Sequence, residues 1–363
     1  MKRVPDVLFA SAIPGRVDRE QTLPARFNRM LAGLPLAERV KGRRVAVKMH
    51  FGGSLGYSTI HPLFVKLLVD AIRAGKPRSL TVMDQSIQGA SDRGYTAETI
   101  GAPLGTSIGA NGLNTRLLDT GWKPLGKVAV GKPVLDADVL INFSHIKGHG
   151  DCGFGGACKN LAMGCTPGSA RRQMHELEGR LTWTRKRCIR CNKCIEECPT
   201  KANKFNAKGD YEIFWHNCRM CMHCMLACPT GAIKIAQQRF DRFQEGLARV
   251  ARLVTGAFDP QDLFHINVLT QITIFCDCWG MTTPALVPDI GIMASHDIVA
   301  VDHASLDAIQ TKNLIPGSLT PPYKLGKSGH LFERIHSKDP YAQVRAMKRL
   351  GMGSTAYRLV PIT

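Results

Sequence analysis

The stretch Ala137-Asp138-Val139-Leu140-Ile141-Asn142-Phe143-Ser144 runs straight into His145-Ile146-Lys147-Gly148-His149-Gly150-Asp151-Cys152-Gly153-Phe154-Gly155-Gly156-Ala157-Cys158-Lys159-Asn160-Leu161. Its first eight residues read as a buried strand, and the remainder as a glycine-rich loop at that strand's carboxyl end. Working outward, Val7–Ala12, Arg44–His50 and Ser79–Asp84 are further short apolar runs suited to buried strands. Pro62–Ala74 has helical periodicity and a Gly75 stop. This strand–helix–strand rhythm predicts an α/β domain built on a mostly parallel sheet. Ligands of such sheets sit beyond the carboxyl ends of the strands, here the loops after His50, Asp84 and Ser144. Further along, Arg239–Leu253 has helical spacing, and Thr270–Phe275 reads as a strand entering Cys276-Asp277-Cys278. Val299–Ile309 and the basic tail from Lys338 read as helices.

Between residues 181 and 237 cysteine spacing replaces apolar periodicity. The motifs are Cys188-x-x-Cys191-x-x-Cys194-x-x-x-Cys198-Pro199 and Cys218-x-x-Cys221-x-x-Cys224-x-x-x-Cys228-Pro229. Three cysteines at spacing three wrap one [4Fe–4S] cubane, and the fourth, too distant to close it, ligates the other. The expected sets are Cys188, Cys191, Cys194 and Cys228 for one cluster, and Cys218, Cys221, Cys224 and Cys198 for the second. Zinc sites or redox thiols are the alternative, but neither requires the doubled spacing or the prolines. The segment is therefore read as a small α+β ferredoxin-like 2[4Fe-4S] domain that moves electrons singly. Lys208-Gly209-Asp210 supplies a turn between its halves. Met220, Met222 and Met225 would exclude water or simply pack, while Arg187, Arg190, Lys193 and Arg219 place positive charge by the thiolates. The expected organisation is an α/β domain over 1–180, the cysteine module over 181–237, and the α/β domain resumed over 238–363.

With 363 residues, 44% hydrophobic and 21% charged, the chain reads as globular. Its longest apolar runs are too short for a membrane span. Pro5 and Asp6 interrupt any signal peptide, so Val7–Ile13 reads as a first strand and the protein as cytoplasmic. Thirteen cysteines in an unexported chain point to metal ligation before disulfides, in a reducing, low-oxygen compartment. The net charge of +19 fits an acidic redox partner such as a flavodoxin or ferredoxin, or an anionic small-molecule substrate. Nucleic acid is disfavoured, because the basic residues are scattered and no aromatic–basic interleaving occurs.

In the loop, glycines let backbone approach a ligand and N–H groups cradle an anion. The alternative is a tight structural turn with solvated His145 and Lys147. Cys276 and Cys278, at i and i+2 of an extended chain, could meet one metal, form a redox pair or be buried thiols. Asp289, Asp297 and Asp302 could line the same pocket or cap helices.

Three groups of residues carry a family resemblance: Lys48-Met49-His50-Phe51-Gly52-Gly53, the His-x-x-Gly-His-x-x-x-Gly…Lys159-Asn160-Leu161 pattern, and Cys276-Asp277-Cys278…Asp289-Ile290-Gly291…Ser295-His296-Asp297. Together they resemble the bacterial and archaeal Domain of Unknown Function 362 family, whose members often carry a ferredoxin module in this place. The resemblance implies architecture more than activity. A local likeness joins Gly153-Phe154-Gly155-Gly156-Ala157-Cys158-Lys159 to the glycine loop of the nickel-dependent lactate racemases. It implies His149 as a proton-transfer residue and Lys159 with His175 at a cofactor or metal, approached by the backbone of Gly153, Gly155 and Gly156. The chain departs from that family at Asp84-Gln85, where a second catalytic histidine is expected, and at Ala157 and Met163.

The leading expectation is an iron–sulfur oxidoreductase. In it the two [4Fe-4S] clusters relay electrons to a ligand, a further metal or an anionic cofactor near His149, Lys159 and Cys276/Cys278. A non-enzymatic electron-transfer subunit or metallocentre-assembly factor is the alternative, and a racemase-like isomerase with a structural ferredoxin is a third.

Overall fold

The computed structural model describes residues 4–53, 56–178, 181–199, 201–213, 222–235, 239–280, 282–321 and 323–363. Cys218, Arg219, Met220 and Cys221 lie outside the described residues. Eight strands form one sheet: β1 (Asp6–Ser11), β2 (Arg44–Lys48), β3 (Ser79–Asp84), β4 (Leu104–Thr106), β5 (Val139–His145), β6 (Leu263–Leu269), β7 (Gly291–Ser295) and β8 (Arg358–Pro361). Their spatial order is β8-β1-β7-β6-β5-β2-β3-β4. β7 is antiparallel to both neighbours and every other adjacent pair is parallel, so the fold is α/β with a mostly parallel sheet.

Helices cover both faces, which is why the central strands carry apolar side chains in both directions. Along β5, Val139, Ile141 and Phe143 join the core formed with α1 (Leu23–Gly33) and α2 (Pro62–Ala74). Leu140 turns to the opposite core, which holds α3 (Ala157–Gly164), α4 (Gly168–His175), α5 (Phe240–Thr255) and α6 (Ile298–Ala308). Each large side chain sealed there, such as Phe27, Phe143 or Phe243, contributes roughly 1.5–3 kcal/mol by leaving water. Among the described residues, no helix is long and apolar enough to cross a membrane.

Thr270–Phe275 is not a strand. β6 occupies the preceding seven residues, and its polar His265 and Asn267 mask the apolar pattern. Gln271 then takes a left-handed conformation (φ 50°) that ends the ladder, its N–H donating to Asp289 Oδ1 at 2.8 Å. The tail forms a helix only over Tyr341–Arg349, after which β8 pairs with β1.

In the cysteine-rich segment, Leu181–Trp183 pairs antiparallel with Ile233–Ile235, and Asn203–Phe205 with Tyr211–Ile213. The two halves repeat in conformation. Asn192 and Met222, each two residues before the third cysteine's position or one before the short helix, are left-handed at φ 60° and 67°. Lys201 and Gly231, each three residues past the cysteine that precedes proline, follow at 52° and 61°. Short helices Lys193–Glu196 and His223–Leu226 occupy equivalent places.

Candidate functional site

The carboxyl ends of β5, β2 and β3 lie side by side, and each delivers a charged or polar group into the interior. Lys48, wholly buried at the end of β2, places Nζ 3.0 Å from Asp84 Oδ1 at the end of β3. It also donates to Met49 O (2.7 Å) and Asn160 Oδ1 (2.9 Å). Asp84 Oδ2 accepts from His50 Nδ1 at 2.7 Å and from the Phe51 N–H at 3.2 Å. With Nδ1–H turned to the carboxylate, His50 keeps a lone pair on Nε2, which is buried and has no hydrogen-bond partner among the described residues. Burial works against ionisation of Asp84, but the Lys48 ammonium and the His50 Nδ1–H outweigh it and hold the carboxyl far below its usual range.

A second network starts at the end of β5. His145 Nδ1 meets Asp277 Oδ2 at 2.8 Å, and its Nε2 meets Thr270 O at 2.8 Å. Both ring nitrogens face acceptors, a pattern satisfied when both carry hydrogen. Lys147 Nζ lies 3.1 Å from the same Asp277 oxygen. Burial opposes charge on Asp277, yet His145 and Lys147 hold it strongly ionised. His145 and Lys147 are therefore buried parts of the framework and not solvated turn residues. The N–H of Gly53 donates to Asp277 O at 2.9 Å, and a Cβ on Gly53 would stand 2.9 Å from Cys278 O. This close approach joins the loop after β2 to the Cys-Asp-Cys turn.

That turn is a short 3-10 helix, Asp277–Trp279, with Cys276 as its N-cap. Cys276 and Cys278 are joined by a disulfide. Cys276 is fully buried and Cys278 exposed. Lys159 reaches over from α3 with Nζ 3.5 Å from Cys276 Sγ and 4.0 Å from Cys278 Sγ. Burial, with Lys147 adding like charge, brings the Lys159 ammonium down to about 8. A ring nitrogen of His149 and the two sulfurs lie within 4.8 Å of one another. His149 Nδ1 accepts the N–H groups of Asp151 (3.1 Å) and Cys152 (3.4 Å), which places the remaining hydrogen on Nε2. Burial, then the Lys159 charge, pushes His149 well below its ordinary range, so it is neutral.

His175 stands on the other side of the loop. Its Nδ1 bonds Glu178 Oε1 at 2.8 Å, its ring stacks on Phe243, and Asp151 completes a buried trio within 4.8 Å. Burial, with Glu178 adding, raises Asp151 to about 8, and burial brings His175 down to about 4.

The loop glycines are used unequally. At Gly153 (φ 79°) a Cβ would meet Pro340 backbone, and at Gly156 it would meet Asp302 Oδ1. Gly155 faces the stems of Lys147 and Lys159. Asp302 accepts from the Ala157 and Cys158 N–H groups at 2.8 and 3.0 Å, so it caps α3. Asp297 caps α6 in the same way through the Ala300 N–H, and Asp289 holds Gln271. Cys152, Cys158 and Cys165 are fully buried in the core, their thiols pushed up by burial, the last to about 12.

Within the cysteine-rich segment, Cys188, Cys191, Cys194 and Cys228 line one small cavity of about 20 Å³, walled by Trp183, Phe205, Tyr211 and Ile233. The Ala202 N–H donates to Cys198 Sγ at 3.1 Å and the Ala232 N–H to Cys228 Sγ at 3.2 Å, the same bond in each half. Cys224 is buried beside Cys194 and Ile233.

Sequence reasoning singled out His149, Lys159, His175 and the cysteine pair but missed the roles of Lys48, His50, Asp84 and Asn160. The available signal was charge at the ends of otherwise apolar strands, where burial demands an opposite partner.

Residues 45–307 match the family model described as a domain of unknown function, DUF362. A 54-residue part is 32% identical to pyruvate synthase subunit PorD of Methanocaldococcus jannaschii, covering 15% of this chain and 63% of that protein. The chain thus spans less than two thirds of that relative's length. Among solved structures, the lactate racemase apoprotein of Thermoanaerobacterium thermosaccharolyticum is similar at 13% identity and TM-score 0.43, over 86% of this chain and 58% of that one. A protein from Thermotoga maritima is similar at 9% identity and TM-score 0.37, over 70% and 52%. The match over 45–307 spans most of the chain, from β2 through α6, and the chain belongs to the DUF362 family.

Proposed function

We propose that this chain is an iron–sulfur oxidoreductase whose cysteine-rich segment, residues 181–237, holds two [4Fe–4S] clusters and serves a ligand site in the surrounding α/β domain. The observation that carries this reading is the single cavity lined by Cys188, Cys191, Cys194 and Cys228, three from one motif and one from the other. That interlocked set is what a two-cluster module requires. Cys198 and Cys224, with Cys218 and Cys221, would hold the second cluster. When bound, the clusters supply one-electron transfer. The Ala202 and Ala232 N–H groups hold the Cys198 and Cys228 sulfurs, and Trp183 and Tyr211 line the cavity. The short likeness to a pyruvate synthase subunit supports redox partners. The charge of +19 favours an acidic carrier such as a ferredoxin or flavodoxin.

In the α/β domain, Lys147 and Lys159 favour an anionic ligand, and His50, oriented by Asp84, holds a lone pair ready to take a proton. Anaerobic purification with iron and sulfide analysis tests the proposal. About eight iron atoms per chain are expected, falling to about four in Cys228→Ala. Zinc in place of iron, or an unchanged iron content in that variant, would overturn the reading.

A further inference from the structure

We propose that Cys276–Cys278 is a redox-active disulfide that exchanges with an external dithiol, with Cys278 as the attacked sulfur and Cys276 as the leaving sulfur. The inference stands on the α/β domain alone and goes beyond the cluster assignment.

Four observations converge on it. The two sulfurs differ in access, Cys278 being exposed and Cys276 fully buried. The buried sulfur has the better anion surroundings: the Lys159 ammonium at 3.5 Å and the Cys278 N–H at 3.4 Å. A thiolate released at Cys276 is thus stabilised where it forms, which speeds departure from the disulfide. The bond spans a sequence separation of only 2, so it removes little chain entropy and is poorly suited to be a structural staple. Finally, the turn that carries the pair is held in place by other groups: the Asp277 carboxylate is fixed by His145 and Lys147, and its carbonyl by the Gly53 N–H. The turn therefore does not need the disulfide to keep its shape.

The same geometry disfavours a metal on His149, Cys276 and Cys278. Bonded sulfurs have no thiolate to offer, and His149 uses Nδ1 to accept two backbone N–H groups while Nε2 carries hydrogen.

The step balances. A thiolate of the incoming dithiol attacks Cys278 Sγ, the S–S bond breaks, and its electron pair leaves on Cys276 Sγ. The second thiolate of the dithiol then displaces Cys278 from the mixed disulfide. The dithiol is oxidised to its own disulfide, Cys276–Cys278 is reduced to two thiols, and the two protons of the dithiol pass to the cysteines. Lys159, near enough to donate to Cys276, is a positioning residue for the leaving thiolate.

The test uses the full chain, prepared anaerobically and equilibrated in dithiothreitol buffers of graded redox ratio, then alkylated and read by peptide mass. Alkylation of Cys278 is expected to follow a two-electron curve, with the buried Cys276, Cys152, Cys158 and Cys165 protected in the native protein. Lys159→Met should shift the equilibrium about tenfold toward the disulfide, about 30 mV in midpoint, because the reduced form loses its counter-charge. Cys276→Ser should leave a Cys278 thiol that forms a stable mixed disulfide with Ellman's reagent, whereas Cys278→Ser should leave Cys276 protected. A pair that stays bonded in fully reduced buffer, or a pair found as thiols at every ratio with one zinc per chain, would overturn the inference. Iron content measured on the same samples reports separately on the clusters, so one reading can fail without the other.

Discussion

Lys48 and Asp84 are opposite charges carried by neighbouring parallel strands, and neither could be buried without the other. Removing one partner of a buried pair strands the other charge, which costs more than the pair itself contributes. Lys48→Met is therefore expected to lower unfolding free energy by about 3–5 kcal/mol. Combining it with Asp84→Asn should recover part of that loss, as measured by urea denaturation of both single variants and the double. Purely additive losses would show that the two side chains are not coupled. In the sequence Lys48 stands out only as part of a strand and a family motif, because sequence alone does not tell whether its ammonium ends in solvent or in the core.

At the level of elements, α3 is the part that aims the site, since it carries both Lys159 and Asn160. Asp302 fixes its first turn by accepting from the Ala157 and Cys158 N–H groups and from Asn267 Nδ2. Asp302→Ala leaves those donors unpaired and should destabilise the chain by about 1–3 kcal/mol. It should also slow dithiol reduction of Cys276–Cys278 more than Asp302→Asn does. At the other end of the helix, a Cβ on Gly164 would collide with Lys48 Nζ. Gly164→Ala is accordingly expected to cost about 1–3 kcal/mol in denaturant unfolding, the range of overpacked cores. An unchanged midpoint would mean that Lys48 can swing away.

For the molecule as a whole, buried histidines set the response to acid. Burial brings His265 down to about 3 and His175 and His336 to about 4, and carries His149 well below its ordinary range. The unfolded chain takes up those protons near pH 6.5, while the folded chain does not until far lower. The unfolded state thus binds more protons across this window, so stability falls as pH drops from about 6.5 toward about 4, by up to ~1.4 kcal/mol per pH unit for each histidine. Burial works in the opposite direction on three carboxyls, raising Asp302 to about 6, Asp151 to about 8 and Glu178 well above its ordinary range, and these offset part of the loss. Urea midpoints should therefore be lower at pH 5 than at pH 7, and His265→Gln should flatten the difference. Equal midpoints at the two pH values would refute the dominance of the histidines.

The sequence by itself determined the α/β class and most of the helices and central strands. Those features depend on local periodicity and spacing, which are written along the chain. It misplaced the strand before Cys276, because His265 and Asn267 break the apolar pattern of β6 while packing inside the protein, where His265 bonds Asn142 and Asn267 bonds Asp302. Only the tertiary structure decided that His145 and Lys147 are interior groups clamped on Asp277, and that His50 is oriented by a carboxylate 34 residues away. The same holds for Lys159 lying against a cysteine pair 117 residues along the chain. Charges of this kind acquire a role only from the partners that folding brings to them, and spacing in sequence carries no record of that meeting.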